Sequence, residues 1–254
     1  MISNCHIYNV LRESGKAAVF ASIVVLVSLS VADAASRMQS AKSTLRKVSR
    51  QKLTSEMIIE AQQRLLDLGY WIGQPDGKWG EASRQGLTAF QKVEERPLTG
   101  RLTISELQAL RSAGKPSPRN ASYAHIEVDL NRQVLFMIEA DGTVSRILPV
   151  STGSGELYTV DDYTQPAITP TGRFRVYRKV PGWRKSKLGL LYYPSYLVGG
   201  IAIHGNRAVP TRPKSHGCIR IPMFAAEEFS QMTPIGTEVI VYNDPGSRAM
   251  KASN

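Results

Sequence analysis

The chain has 254 residues and carries 32 lysines and arginines against 21 acids, a formal net charge of +11. Hydrophobic residues make up 42% and charged residues 21%, an ordinary globular balance. An excess of this sign points to an acidic partner, and no nucleic-acid motif can be placed, which leaves an anionic membrane face or a cell-wall polymer.

The N-terminus reads as an export signal. Arg12 and Lys16 precede an apolar and small-residue run from Ala17 to Ala32, and Ala32-Asp33-Ala34 supplies the small-x-small pattern of a cleavage site. Residues 1–34 are therefore expected to be a cleaved signal peptide, with a retained anchor as the alternative. The run is slightly short for a span of about 20 residues. No other stretch is apolar and long enough to cross a membrane, so no stable span is expected after cleavage. Removal takes Cys5 away, leaves Cys218 alone and excludes a disulfide within the mature chain. Arg12 and Lys16 are balanced by Glu13 and Asp33, so about 220 remaining residues keep the whole positive excess, enough for one large domain or two unequal ones.

Residues 35–52 are basic, without acids, and read as a linker. Residues 53–112 read as three helices. Ile58, Ala61, Leu65 and Leu68 recur on one helical face that Gly69 would end. The turn QPDGKWG precedes a second helix with Leu87, Phe90 and Val93, and Thr103 and Glu106 have capping-box spacing at the start of a third. Residues 113–122 form a Pro/Ser linker. From Tyr123 the period becomes two: HIEVDL, VLFMIEA, RILPVST, FRVYRKV, GIAIHG, CIRIP and TEVIVY alternate like strands, with a short helix from Met223 to Gln231. The fold class is multidomain α+β, and residues 244–254 are expected to be a disordered tail.

The stretch KSHGCIRIP holds the lone cysteine. Read as a strand, His216, Cys218 and Arg220 share one face while Ile219 and Ile221 point to the core. Upstream, Ala202 and His204 share a face opposite Ile201 and Ile203, and a loop from Gly205 to Ser215 is long enough to set the two strands side by side. Between Asp162 and Glu227 there is no acid but eleven basic residues, a positive field expected to favour thiolate. With no local carboxylate, a backbone carbonyl or a distant acid must orient His204. Three readings stay open on these residues alone. Cys218 is a nucleophile with His204 as base; or His204, His216 and Cys218 bind zinc; or the cysteine is buried structure.

Two resemblances bear on the choice. AQQRLLDLGYWIG, PDGKWGEASRQGLTAFQ and LTGRLTISELQAL resemble the three-helix peptidoglycan-binding domain, in which Tyr70, Trp71 and Trp79 either stack on sugar or fill the core. IAIHGN…KSHGCIRIP, together with LPVSTGSG and TPTGRFRVYRKVPGW, resembles the L,D-transpeptidase family through 123–243, although the loop between His204 and Ser215 is shorter than in many members. The resemblance implies a mostly β, sandwich-like catalytic domain with short helices that needs no metal or organic cofactor. It implies Cys218 as nucleophile, His204 as proton donor and acceptor, the Gly205 carbonyl holding the imidazole, His216 polarising substrate and Gly217 in the oxyanion hole. Ser215 and Arg220 are assigned to substrate binding or support. The implied partners are peptidoglycan stem peptides and glycan, with an envelope protein as a further acceptor, at the periplasm or cell wall. A carboxypeptidase using water and a silent wall-binding protein are the alternatives.

Overall fold

A computed structural model describes residues 37–39 and 52–243 of the chain. The expected signal segment, nearly all of the basic linker and the tail lie outside the described residues. Residues 53–112 form three helices: α1 (Ser55–Asp67), α2 (Glu81–Val93) and α3 (Ile104–Ser112). Thr54 caps α1 through its side chain, and Gly69 just past the helix takes a φ of +93°, where a side chain would be strained. Thr103 likewise accepts from the N–H of Glu106, but the Glu106 carboxylate turns away to Arg96 at 3.0 Å, so only half of the capping box forms.

The rest is built on two sheets and one helix, α4 (Met223–Met232). The first sheet has the order β3 (Val144–Pro149), β2 (Val134–Ile138), β1 (His125–Asp129), β12 (Glu238–Tyr242), β6 (Gly172–Arg175). The second runs β11 (Ile219–Pro222), β10 (Ile201–Asn206), β9 (Gly189–Val198), β7 (Arg178–Lys179), with β8 (Trp183–Ser186) also paired to β9. A separate hairpin joins β4 (Leu157–Val160) and β5 (Tyr163–Pro166). FRVYRKV therefore divides into two strands that serve different sheets, and the β4–β5 and β8–β9 hairpins are absent from the sequence expectation.

The first sheet is covered on both faces, and β2 shows how. Leu135 and Met137 join Ile203, Ile219, Ile221 and Phe229 in the core between the sheets. Val134, Phe136 and Ile138 join Leu65, Leu87 and Phe90 in a second core beneath the helices. The helical segment also protects the sheet's edge. Trp71 N–H donates to the Ile147 carbonyl at 3.0 Å, and Ile147 N–H donates to the Gly69 carbonyl at 2.8 Å, so β3 leaves fewer unpaired backbone groups. Tyr70 and Trp71 are 1% and 5% exposed, Tyr70 edge-on to Phe90, so both fill core. Trp79 is half-buried, and its Nε1 donates to the Gly100 carbonyl at 3.1 Å. Among the described residues no helix is long and apolar enough to cross a membrane.

Candidate active site

β10 and β11 run parallel, with Ile203 beside Ile219 and His204 beside Arg220. Period-two alternation therefore puts Ala202, His204, Cys218 and Arg220 on one face, while Ile203, Ile219 and Ile221 enter the core. A cavity of about 780 Å³ opens on the polar face, and His204, Ser215, His216, Cys218 and Arg220 all line it. Ile201 lines it too, against expectation: a register shift between Ile201 and Ala202 breaks the alternation there.

His216 reaches the cavity by a different route from the one its spacing suggests. The strand begins only at Ile219, because Gly217 takes a φ of +130° and turns the chain. A Cβ on Gly217 would lie 2.7 Å from Ile201 Cδ1 and 2.9 Å from the Ile168 carbonyl oxygen. His216 is thereby exposed and packs on the Tyr158 ring of the β4–β5 hairpin, with centroids 4.7 Å apart. His204, His216 and Cys218 do not converge as ligands, and among the described residues no group of three suitable side chains is placed to hold a metal. The remaining described histidine, His125, is buried against Glu127 at 3.1 Å and the Tyr123 carbonyl at 2.8 Å.

The loop carrying Cys218 is tied at each step. Ser215 Oγ accepts from Gly217 N–H at 3.0 Å and donates to the Cys218 carbonyl at 2.5 Å. Gly217 N–H is thus already engaged. The Thr169 hydroxyl donates to the Gly217 carbonyl at 2.6 Å, and the Thr152 carbonyl accepts from Lys214 and Ser215. Arg220 exchanges both backbone hydrogen bonds with Ser151, and its half-buried side chain lines the cavity. Thr152, Tyr158 and Thr169 were missed as site residues; Thr152 and Thr169 lie inside LPVSTGSG and TPTGRFRVYRKVPGW, stretches whose spacing carries no chemical signal of its own.

The electrostatics oppose a resting ion pair. His204 Nδ1 lies 2.9 Å from the Gly205 carbonyl. Burial pushes the imidazole down to about 4; that hydrogen bond works against the shift and the Arg220 charge adds to it. Burial also pushes the Cys218 thiol up, outweighing a hydrogen bond from the Ala202 backbone and the Arg220 charge. The positive field expected to favour thiolate is outmatched by desolvation, so thiol and imidazole are both neutral near pH 7. The thiol donates to the Gly200 carbonyl at 3.6 Å.

A cysteine and a histidine lining one cavity, on a β framework, define a class of cysteine acyltransferase, and the comparisons give the family. A model described as the L,D-transpeptidase catalytic domain matches residues 123–241, and one described as a putative peptidoglycan-binding domain matches 54–110. A crystal structure of an L,D-transpeptidase from Xylanimonas cellulosilytica is 40% identical, covers 73% of this chain and 92% of its own, and superposes with a TM-score of 0.69. An L,D-transpeptidase from Stackebrandtia nassauensis is 22% identical over 78% of this chain and 98% of its own, with a TM-score of 0.44. No curated protein matches the chain. The chain belongs to the L,D-transpeptidase family and carries a peptidoglycan-binding domain ahead of the catalytic one. Domains that act on peptidoglycan imply an extracytoplasmic, cell-wall location and a part in cell-wall biogenesis.

Proposed function

We propose that the protein cross-links peptidoglycan stems through a Cys218 thioester, in the periplasm or cell wall after loss of residues 1–34. The observation that carries this reading is that His204 on β10 and Cys218, the residue just ahead of β11, line the same cavity, diagonal to each other across the paired segments. The neutral imidazole takes the thiol proton as Cys218 Sγ attacks the third-residue carbonyl of a tetrapeptide stem. The oxyanion is received by the backbone N–H of Cys218, joined by that of Gly217 when the Ser215 hydroxyl releases it. The C–N bond then breaks, His204 returns the proton to the leaving D-alanine amine, and a thioester remains.

An amine from a neighbouring stem attacks the thioester, gives its proton to His204 and frees the thiol, leaving a 3→3 cross-link. Water in place of the amine would make the enzyme a carboxypeptidase, and the amine of an envelope protein would make it an anchoring enzyme. The Gly205 carbonyl holds the imidazole through Nδ1, which leaves Nε2 for the proton. His216 polarises the bound stem, and Ser215 and Arg220 hold the loop and strand on which Cys218 stands. The supporting measurement is mass spectrometry after incubation with disaccharide-tetrapeptides. An acyl adduct on Cys218 with cross-linked dimers is expected, and tripeptide alone would instead assign the carboxypeptidase. Turnover by Cys218→Ala would sink the mechanism.

A further inference from the structure

Cys218 stands at one end of a row that crosses the second sheet. It lies next to Ile219, which pairs with Ile203, so its neighbour on β10 is Ala202. Ala202 pairs with Tyr196 on β9, and Tyr196 pairs with Arg178 on β7. Residues opposite each other in a sheet share a face, so Cys218, Ala202, Tyr196 and Arg178 all point toward the cavity side. Ala202 is the small floor of this row, and Tyr196 and Arg178 line the cavity.

Arg178 differs from the other cations of the cavity. Its guanidinium is held over the Tyr196 ring, 4.0 Å from the centroid, which orients it without neutralising it. Asp161 is the only acid among the lining residues, and it pairs with Lys187 instead. Arg178 is exposed like Arg184 and Lys185 on β8, but among the described residues those two stack on no ring, and the Arg220 charge bears on Cys218 and His204. Strands are spaced about 4.8 Å apart, so a guanidinium over the Tyr196 ring stands about two spacings, about 10 Å, along the row from Cys218. The carboxylate of the leaving residue falls short of it, because that group sits directly on a Cα about 3.8 Å from that of the acylated residue, with no side chain to extend it. A carboxylate at the far end of a side chain, on the second or the third residue of the stem, has the longer reach the span needs.

We propose that Arg178, stacked on Tyr196, is a binding subsite for a carboxylate of the donor stem other than that of the departing D-alanine. The proposal rests on the stem-peptide reading above, and planar arginine suits bidentate recognition of this group. The site would make the enzyme selective for stems in which that carboxylate is free rather than amidated.

Binding, not turnover, tests it. Dissociation constants are measured by calorimetry for the full chain carrying Cys218→Ala, alone and combined with Arg178→Met or Arg178→Lys. The probes are synthetic disaccharide-tetrapeptides with a free carboxylate on the second residue, on the third residue's side chain, or on neither. In the Cys218→Ala chain one of the acidic stems is expected to bind about 10- to 100-fold more tightly than the amidated one, the range of a charge-assisted hydrogen bond. Arg178→Met should bring that ratio close to one, and Arg178→Lys should keep part of it. The stem that discriminates identifies which carboxylate is read. A ratio already near one with Arg178 present, or one that Arg178→Met leaves unchanged, overturns the subsite. Carboxylate-selective binding in a chain whose parent shows no turnover would sink the transpeptidase reading and leave the subsite standing.

Discussion

The Ser215 hydroxyl donates to the carbonyl of Cys218 across 2.5 Å, and the same oxygen accepts the N–H of Gly217. One buried side chain thus closes a small ring around the nucleophile and sets the direction of the backbone on both sides of it. Ser215→Ala removes both bonds without adding bulk. The expected cost is about 1–3 kcal/mol of stability, from two polar groups left unpaired. The acylation rate should fall by a factor of ten or more, as the loop loses its fixed orientation. Urea denaturation and single-turnover acylation of Cys218 read the two effects separately, and an unchanged acylation rate would remove Ser215 from any positioning role.

Gly217 admits no substitute. Its φ of +130° is a region that residues with a Cβ rarely adopt, and the added carbon would meet Ile201 and the Ile168 carbonyl below van der Waals contact. Gly217→Ala is expected to lose about 1–3 kcal/mol to strain alone and to abolish thioester formation. Thermal unfolding and adduct mass check this, and a variant of native stability and activity would contradict the loop geometry.

Neutral partners at rest predict an unusual pH dependence. The imidazole stays unprotonated until pH falls to about 4, so acylation should keep its rate down through pH 6 and lose its base only near that value. Iodoacetamide needs thiolate, and burial raises the Cys218 thiol above its ordinary value. Alkylation at pH 7.5 should therefore be slower than for an exposed cysteine, with its midpoint displaced to higher pH. Fast alkylation at pH 6 would show instead a resting thiolate–imidazolium pair.

Lys92 on α2 is buried, and its Nζ donates to the carbonyls of Gln133 at 2.9 Å and Val150 at 3.0 Å. Desolvation alone pushes it down to about 7. The unfolded chain holds this proton up to the ordinary lysine range while the folded chain releases it near pH 7, so between the two values the unfolded state binds more protons. Stability then rises with pH across that window. The difference in urea midpoint between the native chain and Lys92→Met, measured at pH 6.5, 8 and 9.5, should grow in favour of the native chain. A difference that stays constant would show that Lys92 keeps an ordinary affinity for its proton.

Much of this site was legible from local pattern. The alternation in GIAIHG and CIRIP placed His204, Cys218 and Arg220 on one face because core-facing isoleucines leave a strand only one register. The 3-4-3 spacing of Ile58, Ala61, Leu65 and Leu68 placed α1, and Gly69 closed it. The same pattern carried the strand back through His216, whereas β11 begins only at Ile219 after the positive φ of Gly217, a turn no periodicity records; His216 lines the cavity all the same. Sequence left Tyr70 and Trp71 open between sugar stacking and core, and packing against the first sheet places both in its cores. The β9 strand was missed although it is ten residues long, because Tyr and Pro interrupt its alternation and its partners lie far off in the chain.

By itself, then, the sequence determined which chemical groups exist, which faces carry them and how adjacent elements begin and end. These are decided by neighbours within a turn or a strand, where sterics and periodicity act over a few residues. Only the tertiary structure decided the protonation of Cys218 and His204, the bracing of their loop by Thr152 and Thr169, and the row that leads from Cys218 to Arg178. Desolvation depends on everything packed around a group, and a row across a sheet joins residues that pair only after four separate strands have come together.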